Sequence, residues 1–505
     1  MNLAAAFLER LARDPGRVLL EGDGGVHSRG AVARRARRVA AALEAAGVRP
    51  GDRVVLSLRK NAWLPACHVG ALAAGAIVTP VDPAHPDAAL AGLLRRAEPV
   101  LGLADAALAA RGLRFAPGLR WWCPGEDPPA GAEHLADEGP LAPGAVPRGA
   151  DDPALLVFTS GTTGTPKGVP LSHGNVASNL DALARVWEWS EEDRLLHVLP
   201  VFHLHGLGVA LYGSLRVGGV LILHERFDAE RVLREAGPAG VTLLMAVPTI
   251  LHRLVKAAPA HGAGALAGLR AVISGSAPLA PALFERFRQC FGLEPLERYG
   301  MSETLMNASN PLRGVRKPGS VGPPLAGVEI ELRDPRSGAS AGRGPGEVWV
   351  RGPNVFRGYW RDPEASAAAF ADGWFRTGDL GRLDEDGYLF LVGRAKELIV
   401  TGGYNVSPAA VEQALGAEGD PRIAELAVAG VPDPDLGERV VAFAVAAAPG
   451  EWPAIETALR ARAEASLPRY ARPRAYVRVE RLPRNALGKL ERSRLRDAQA
   501  TGESP

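Results

Sequence analysis

The chain has 505 residues, 47% hydrophobic and 23% charged, which is long enough for more than one compact unit and excludes a disordered or fibrous protein. Its 58 basic and 56 acidic residues leave a formal net charge of +2, too little to steer it toward nucleic acid. Three scattered cysteines, Cys67, Cys123 and Cys290, provide neither a disulfide framework nor a CxxC metal site, and they fit a reducing, cytoplasmic setting.

The first residues place Leu3, Phe7, Leu8 and Leu11 at helical spacing. Charges follow these apolar residues instead of preceding them, unlike a secretory signal. The most apolar stretch, 63–80, is interrupted by Pro65, His68, Gly70 and Gly75. It falls short of the roughly 20 clean residues of a membrane span and reads as a core helix followed by a strand. From there the pattern alternates: strand over 54–58, helix over 62–74, strand over 77–80. An apolar run at 154–158 reads as a further buried strand, and after it the alternation resumes with runs at 195–199, 220–223, 241–245 and 269–273, each trailed by helical sequence. Such alternation predicts an α/β protein with parallel sheets sandwiched by helices. Residues 117–153, rich in Pro and Gly, read as a surface excursion. After Gly319 short strands at 328–332 and 347–350 suggest a small β unit. From Glu397 onward, strands and helices suffice for a smaller α+β domain. The expected division is 1–394 and 395–505, at Gly393-Arg394-Ala395-Lys396.

Chemistry concentrates in a few stretches. The run Thr159-Ser160-Gly161-Thr162-Thr163-Gly164-Thr165-Pro166-Lys167 follows a buried strand and combines hydroxyls, glycines and a lysine, the components of a phosphate grip. The P-loop of nucleotide triphosphatases needs glycine immediately before its lysine, and Pro166 occupies that place. Next come His203 and His205 after a strand; with no third ligand nearby they read as a pocket wall, not a metal site. Ser274-Gly275-Ser276-Ala277 closes another strand with small residues against which a flat ring can lie. Arg298-Tyr299-Gly300-Met301-Ser302-Glu303 brings together a guanidinium, an aromatic face, a hydroxyl and a carboxylate. Glu303 suits Mg²⁺ whose remaining shell is completed by phosphates. Arg298 either pairs with Glu297 or Glu303, or offers its planar fork to a second carboxylate of a substrate.

These motifs, in this order and over nearly the whole chain, resemble those of the adenylate-forming superfamily, which includes acyl-CoA synthetases, luciferases and peptide-synthetase adenylation domains. The stretch from Glu297 to Asn307, with Ser309-Asn310-Pro311 and the extra His205, is similar to the malonyl-CoA synthetase version; Ser302 stands where most relatives have threonine. The resemblance implies ATP binding by Thr159, Ser160, Gly161, Thr162, Thr163, Lys167, Gly275, Ser276, Ala277, Tyr299, Ser302, Asp379 and Arg394. It implies Mg²⁺ at Glu303, His203 lining the acyl pocket, and a malonate carboxylate held by Arg298, His205 and Ser274. Coenzyme A would pass Gly402, Gly403 and Tyr404, and Lys489 would reach the acyl carboxylate and the α-phosphate. The implied domain hinge is Lys396. The expected partners are small molecules, with no nucleic acid and no membrane span; loading of a carrier protein is the less favoured alternative.

Overall fold

The computed structural model describes all residues except 1, 23, 160–165, 336, 403, 417–419, 449, 485–489 and 502–505. It has two compact units: 1–279 with 284–330 and 350–375, and 280–283 with 331–349 and 376–505.

The first unit contains two sheets. One has eight strands in the order Leu305–Ser309, Leu296–Met301, Ala271–Ser274, Leu243–Ala246, Arg194–His197, Val220–Leu223, Val18–Gly22 and His27–Ser28. Its interior pairs are parallel, and the pairs at its two ends are antiparallel. The other has seven strands, in which Arg53–Ser57, Ile77–Pro80, Leu101–Ala104, Arg120–Pro124, Glu133–Leu135 and Pro153–Thr159 pair in parallel, and Lys167–Ser172 closes one edge antiparallel. The central strands are buried throughout and almost wholly apolar, as cover on both faces requires. The expected α/β class is therefore the observed one.

Between Arg53–Ser57 and Ile77–Pro80 runs the helix Trp63–Ala73, buried from Leu64 to Ala73. A helix apolar on all sides needs cover on all sides, and Arg29–Ala45 supplies part of it. At Gly70 a Cβ would stand 2.6 Å from the Ala36 carbonyl oxygen, so the close approach of the two helices depends on that glycine.

One expectation needs correction. Residues 117–153 are not wholly a surface excursion: Arg120–Pro124 and Glu133–Leu135 join the seven-stranded sheet, and Trp121 is fully buried. The short run Trp121-Trp122-Cys123 carries enough apolar area to enter the core despite its Pro- and Gly-rich flanks.

In the second unit, Trp374–Leu383 and Leu389–Arg394 pair antiparallel, with Asp379 opposite Arg394. Beyond them a five-stranded sheet is built on the long hairpin Ile423–Asp433 and Gly437–Ala446, with the helices Pro408–Leu415 and Trp452–Ser466 packed on one of its faces.

Candidate active site

In the first unit, parallel strands of the eight-stranded sheet end together, and ligands in such sheets bind beyond the carboxyl ends of the strands. His197 ends one of these strands and Ser274 another. Ser276, just past Ser274, holds a left-handed backbone at φ +70° and is exposed, so it forms the rim. Behind it lie two buried basic groups. The Ser276 hydroxyl is 3.3 Å from His205 Nδ1, and Arg298 Nη2 donates to the same hydroxyl at 3.5 Å.

Arg298 comes from the strand Leu296–Met301, whose antiparallel partner sets it opposite Ser309. It is 3% exposed and packs over Gly275, where a Cβ would stand 2.4 Å from Cζ. The choice left open by the sequence is thereby narrowed: Arg298 makes no ion pair with a described carboxylate, and its Nε has no hydrogen-bond partner among the described residues. Neighbours on a strand point to opposite faces, so Glu297 turns elsewhere and accepts from the Leu279 N–H at 2.9 Å. Burial pushes the Glu297 carboxyl up to about 8 and the Arg298 guanidinium down to about 10. Arg298 stays charged at neutral pH.

His205 begins a π-helical turn, His205–Leu211, a wide-turn geometry frequent at functional sites. Burial first, then Arg298, His197 and His203, hold its imidazole well below the usual histidine range, so it is a neutral hydrogen-bonding group. His205 Nε2 and the Ser274 hydroxyl have no partner among the described residues. Two residues outside the motif readings fix the turn. His197 Nε2 donates to the Gly206 carbonyl at 2.8 Å, and a Cβ on Gly206 would be 2.0 Å from the Pro200 carbonyl oxygen. The sequence offered no signal for His197 beyond its place at the end of an apolar strand. His203 is half-buried against the Phe202 ring, with centroids 4.7 Å apart, and burial lowers its pKa.

The grip is held by an antiparallel hairpin that sets Thr159 opposite Lys167, facing the two ends of the loop across one ladder. Ser160, Gly161, Thr162 and Thr163 lie outside the described residues. Lys167 Nζ lies 4.6 Å from the centroid of the Tyr359 ring, and the Tyr359 hydroxyl donates to Glu303 Oε1 at 3.1 Å. Burial and Glu303 push the Tyr359 phenol above its ordinary range, which keeps it a donor. Tyr359 was not among the residues read from sequence; the aromatic pair Tyr359-Trp360 in a loop resembles ordinary core.

Glu303 is 7% exposed. Among the described residues no three His, Cys, Asp or Glu side chains gather as a metal cage. The donor set fits a hard cation that takes one carboxylate and fills its shell with phosphate oxygens and water. Tyr299 is buried opposite Ala308, Ser302 is half-buried beyond it, and Ala277 is exposed beside Ser276.

The remaining expected residues belong to the second unit. Asp379 is buried and accepts from Arg394 Nε at 2.9 Å, while its own N–H donates to the Thr377 hydroxyl at 3.0 Å. Gly402, at φ +55°, opens a tight hairpin turn with Thr401 opposite Tyr404. Tyr404 is exposed and stacks on Tyr470 with ring centroids 4.3 Å apart. Gly403 and Lys489 lie outside the described residues.

The chain belongs to the AMP-binding enzymes: that family matches residues 7–360, and the AMP-binding enzyme C-terminal domain matches residues 410–489. Within this adenylate-forming class the chain is similar to malonate–CoA ligases. It is 37% identical to that of Arabidopsis thaliana over 373 residues, 68% of this chain and 60% of that protein, so it spans less than two thirds of this relative's length. A sulfoacetate–CoA ligase of Cupriavidus necator is 36% identical over 98% of this chain and 97% of its own. The crystal structure of ATP-bound MatB from Rhodopseudomonas palustris is matched with a TM-score of 0.89 at 36% identity, covering 99% of each chain.

Proposed function

We propose that this chain is an AMP-forming acid–thiol ligase that joins malonate to coenzyme A. The carboxylate oxygen attacks the α-phosphorus of ATP and pyrophosphate leaves; the thiol then attacks the carbonyl carbon of the acyl-adenylate and AMP leaves. The observation that carries the diacid reading is Arg298, a buried guanidinium with no ion-pair partner among the described residues, beside neutral His205 and the Ser274 hydroxyl. A monocarboxylate would leave that buried charge uncompensated, whereas the far carboxylate of a short diacid meets it with charge-assisted hydrogen bonds.

In this reading His203 lines the acyl cavity. Thr159, Lys167 and the hydroxyl loop between them bind the phosphates; Gly275, Ser276, Ala277 and Tyr299 flank the adenine, and Ser302 assists them. Asp379 accepts the ribose hydroxyls, steadied by Arg394. Glu303 holds Mg²⁺, which when bound neutralises charge on the departing pyrophosphate. Lys489 contacts the carboxylate and α-phosphate during adenylation. Gly402, Gly403 and Tyr404 serve the pantetheine arm, and rotation about Lys396 between half-reactions lets Lys489 and the Gly402 turn act in succession.

A second reading is a short acid with a terminal sulfonate, favoured by the sulfoacetate–CoA ligase among the relatives. AMP release with free coenzyme A across malonate, methylmalonate, sulfoacetate, oxalate and acetate tests both. Malonate should give the highest kcat/KM; preference for acetate would remove the diacid reading, and no turnover without a carrier protein would remove the CoA reading.

A further inference from the structure

We propose that Tyr359 is a positioning residue that fixes Lys167 and Glu303 together, presenting both to the pyrophosphate end of ATP and its divalent cation. The proposal rests on the ligase reading and adds a residue to it.

The geometry is a bridge with anchored ends. The Tyr359 ring face lies 4.6 Å from Lys167 Nζ, and its hydroxyl donates to Glu303 Oε1 at 3.1 Å. One side chain thus touches both charged motif residues. The backbone around it is tied to the same two segments. The Trp360 N–H donates to the Gly168 carbonyl at 2.8 Å, next to the lysine, and the Phe356 N–H donates to the Glu303 carbonyl at 2.9 Å. Asn354 Nδ2 donates to the Thr304 carbonyl at 2.6 Å, and the Tyr359 N–H donates to the Ser366 hydroxyl at 2.8 Å. At Gly168 a Cβ would stand 2.9 Å from the Trp360 Cβ, so the strand and the loop meet without slack.

The two contacts act differently. A ring face under an ammonium restrains a long flexible side chain without consuming its hydrogen-bond donors, so Lys167 keeps its N–H groups for an anion. A phenol donating to one carboxylate oxygen fixes the carboxylate plane and orients the other oxygen for a cation. Removing the hydroxyl alone affects Glu303, whereas removing the ring affects Lys167 as well.

The test compares Tyr359→Phe and Tyr359→Leu with the wild-type protein. Readouts are calorimetric ATP binding with and without Mg²⁺, Mn²⁺ binding by electron paramagnetic resonance, and the two half-reactions. Tyr359→Phe should weaken metal-dependent ATP binding about tenfold, the scale of one hydrogen bond to a charged group, while metal-free ATP binding stays unchanged. Tyr359→Leu should weaken both. Thioester formation from supplied acyl-adenylate, which involves no pyrophosphate, should be unaltered in either. Metal titrations of Tyr359→Phe that match wild type, or equal losses in both half-reactions, overturn the proposal. Failure of the wild-type protein to bind metal and ATP would instead overturn the ligase reading on which it rests.

Discussion

Arg298 concentrates the substrate question in one side chain. Truncating one member of a buried charge pair costs about 3 kcal/mol or more, upwards of about a hundredfold in kcat/KM. Arg298→Ala should therefore raise the KM for malonate by about that factor and leave the KM for ATP near wild type, as measured by AMP release. Arg298→Lys should not restore it, because a point charge lacks the fork that receives a carboxylate in two parallel bonds. Sequence singled this residue out through the resemblance of its motif to the malonyl-CoA synthetase version, since a guanidinium beside two carboxylates also reads as a local ion pair. Its two competing readings could not be separated there, since strand geometry alone turns Glu297 away from it. Tyr359 and His197 were illegible for a related reason. Tyr359 acts through a contact 56 residues away, with Glu303, and His197 through the backbone carbonyl of Gly206, which any residue could supply, so neither carries a local pattern.

At the level of elements, small residues control where charged ones go. Gly275→Ala would drive a methyl into the Arg298 guanidinium, 2.4 Å from Cζ, without altering any charge. It should raise the KM for malonate as Arg298→Ala does, and steady-state kinetics with a constant melting temperature check it. Gly206→Ala meets a backbone oxygen at 2.0 Å, which cannot yield as a side-chain tip can, so the π-helical turn and His205 must both shift. The alternation of strands and helices was readable because each buried strand is short, apolar and flanked by helical sequence. The strand Arg120–Pro124 was not, since its apolar run is three residues long and its flanks carry turn residues.

For the molecule as a whole, buried titratable groups set opposing pH slopes. Burial pushes His68 and His197 down to about 3 and His173 to about 4, against 6.5 for an ordinary imidazole. Below pH about 6.5 the unfolded chain binds protons that the folded chain refuses. Stability should then fall with decreasing pH by up to ~1.4 kcal/mol per pH unit for each histidine, until its folded pKa is reached. Glu297 works in the other direction: its carboxyl is pushed up to about 8, so the folded chain holds a proton that the unfolded chain releases near 4.5. That contribution is lost as pH rises toward 8. Denaturant titrations from pH 5 to 8.5 should show both limbs, and Glu297→Gln should flatten the alkaline one. The proposed two-step chemistry also belongs to this scale. Lys489→Ala should abolish adenylation and spare thioester formation from supplied acyl-adenylate; equal loss in both assays would count against succession about Lys396.

The guanidinium over Gly275 keeps its charge at neutral pH while its Nε finds no acceptor among the described residues. Such a group attracts whatever inorganic anion the buffer contains. Chloride should compete with the organic acid, while sulfate and phosphate should contest the phosphate grip for ATP as well, so the apparent substrate affinity becomes a property of the salt as much as of the protein.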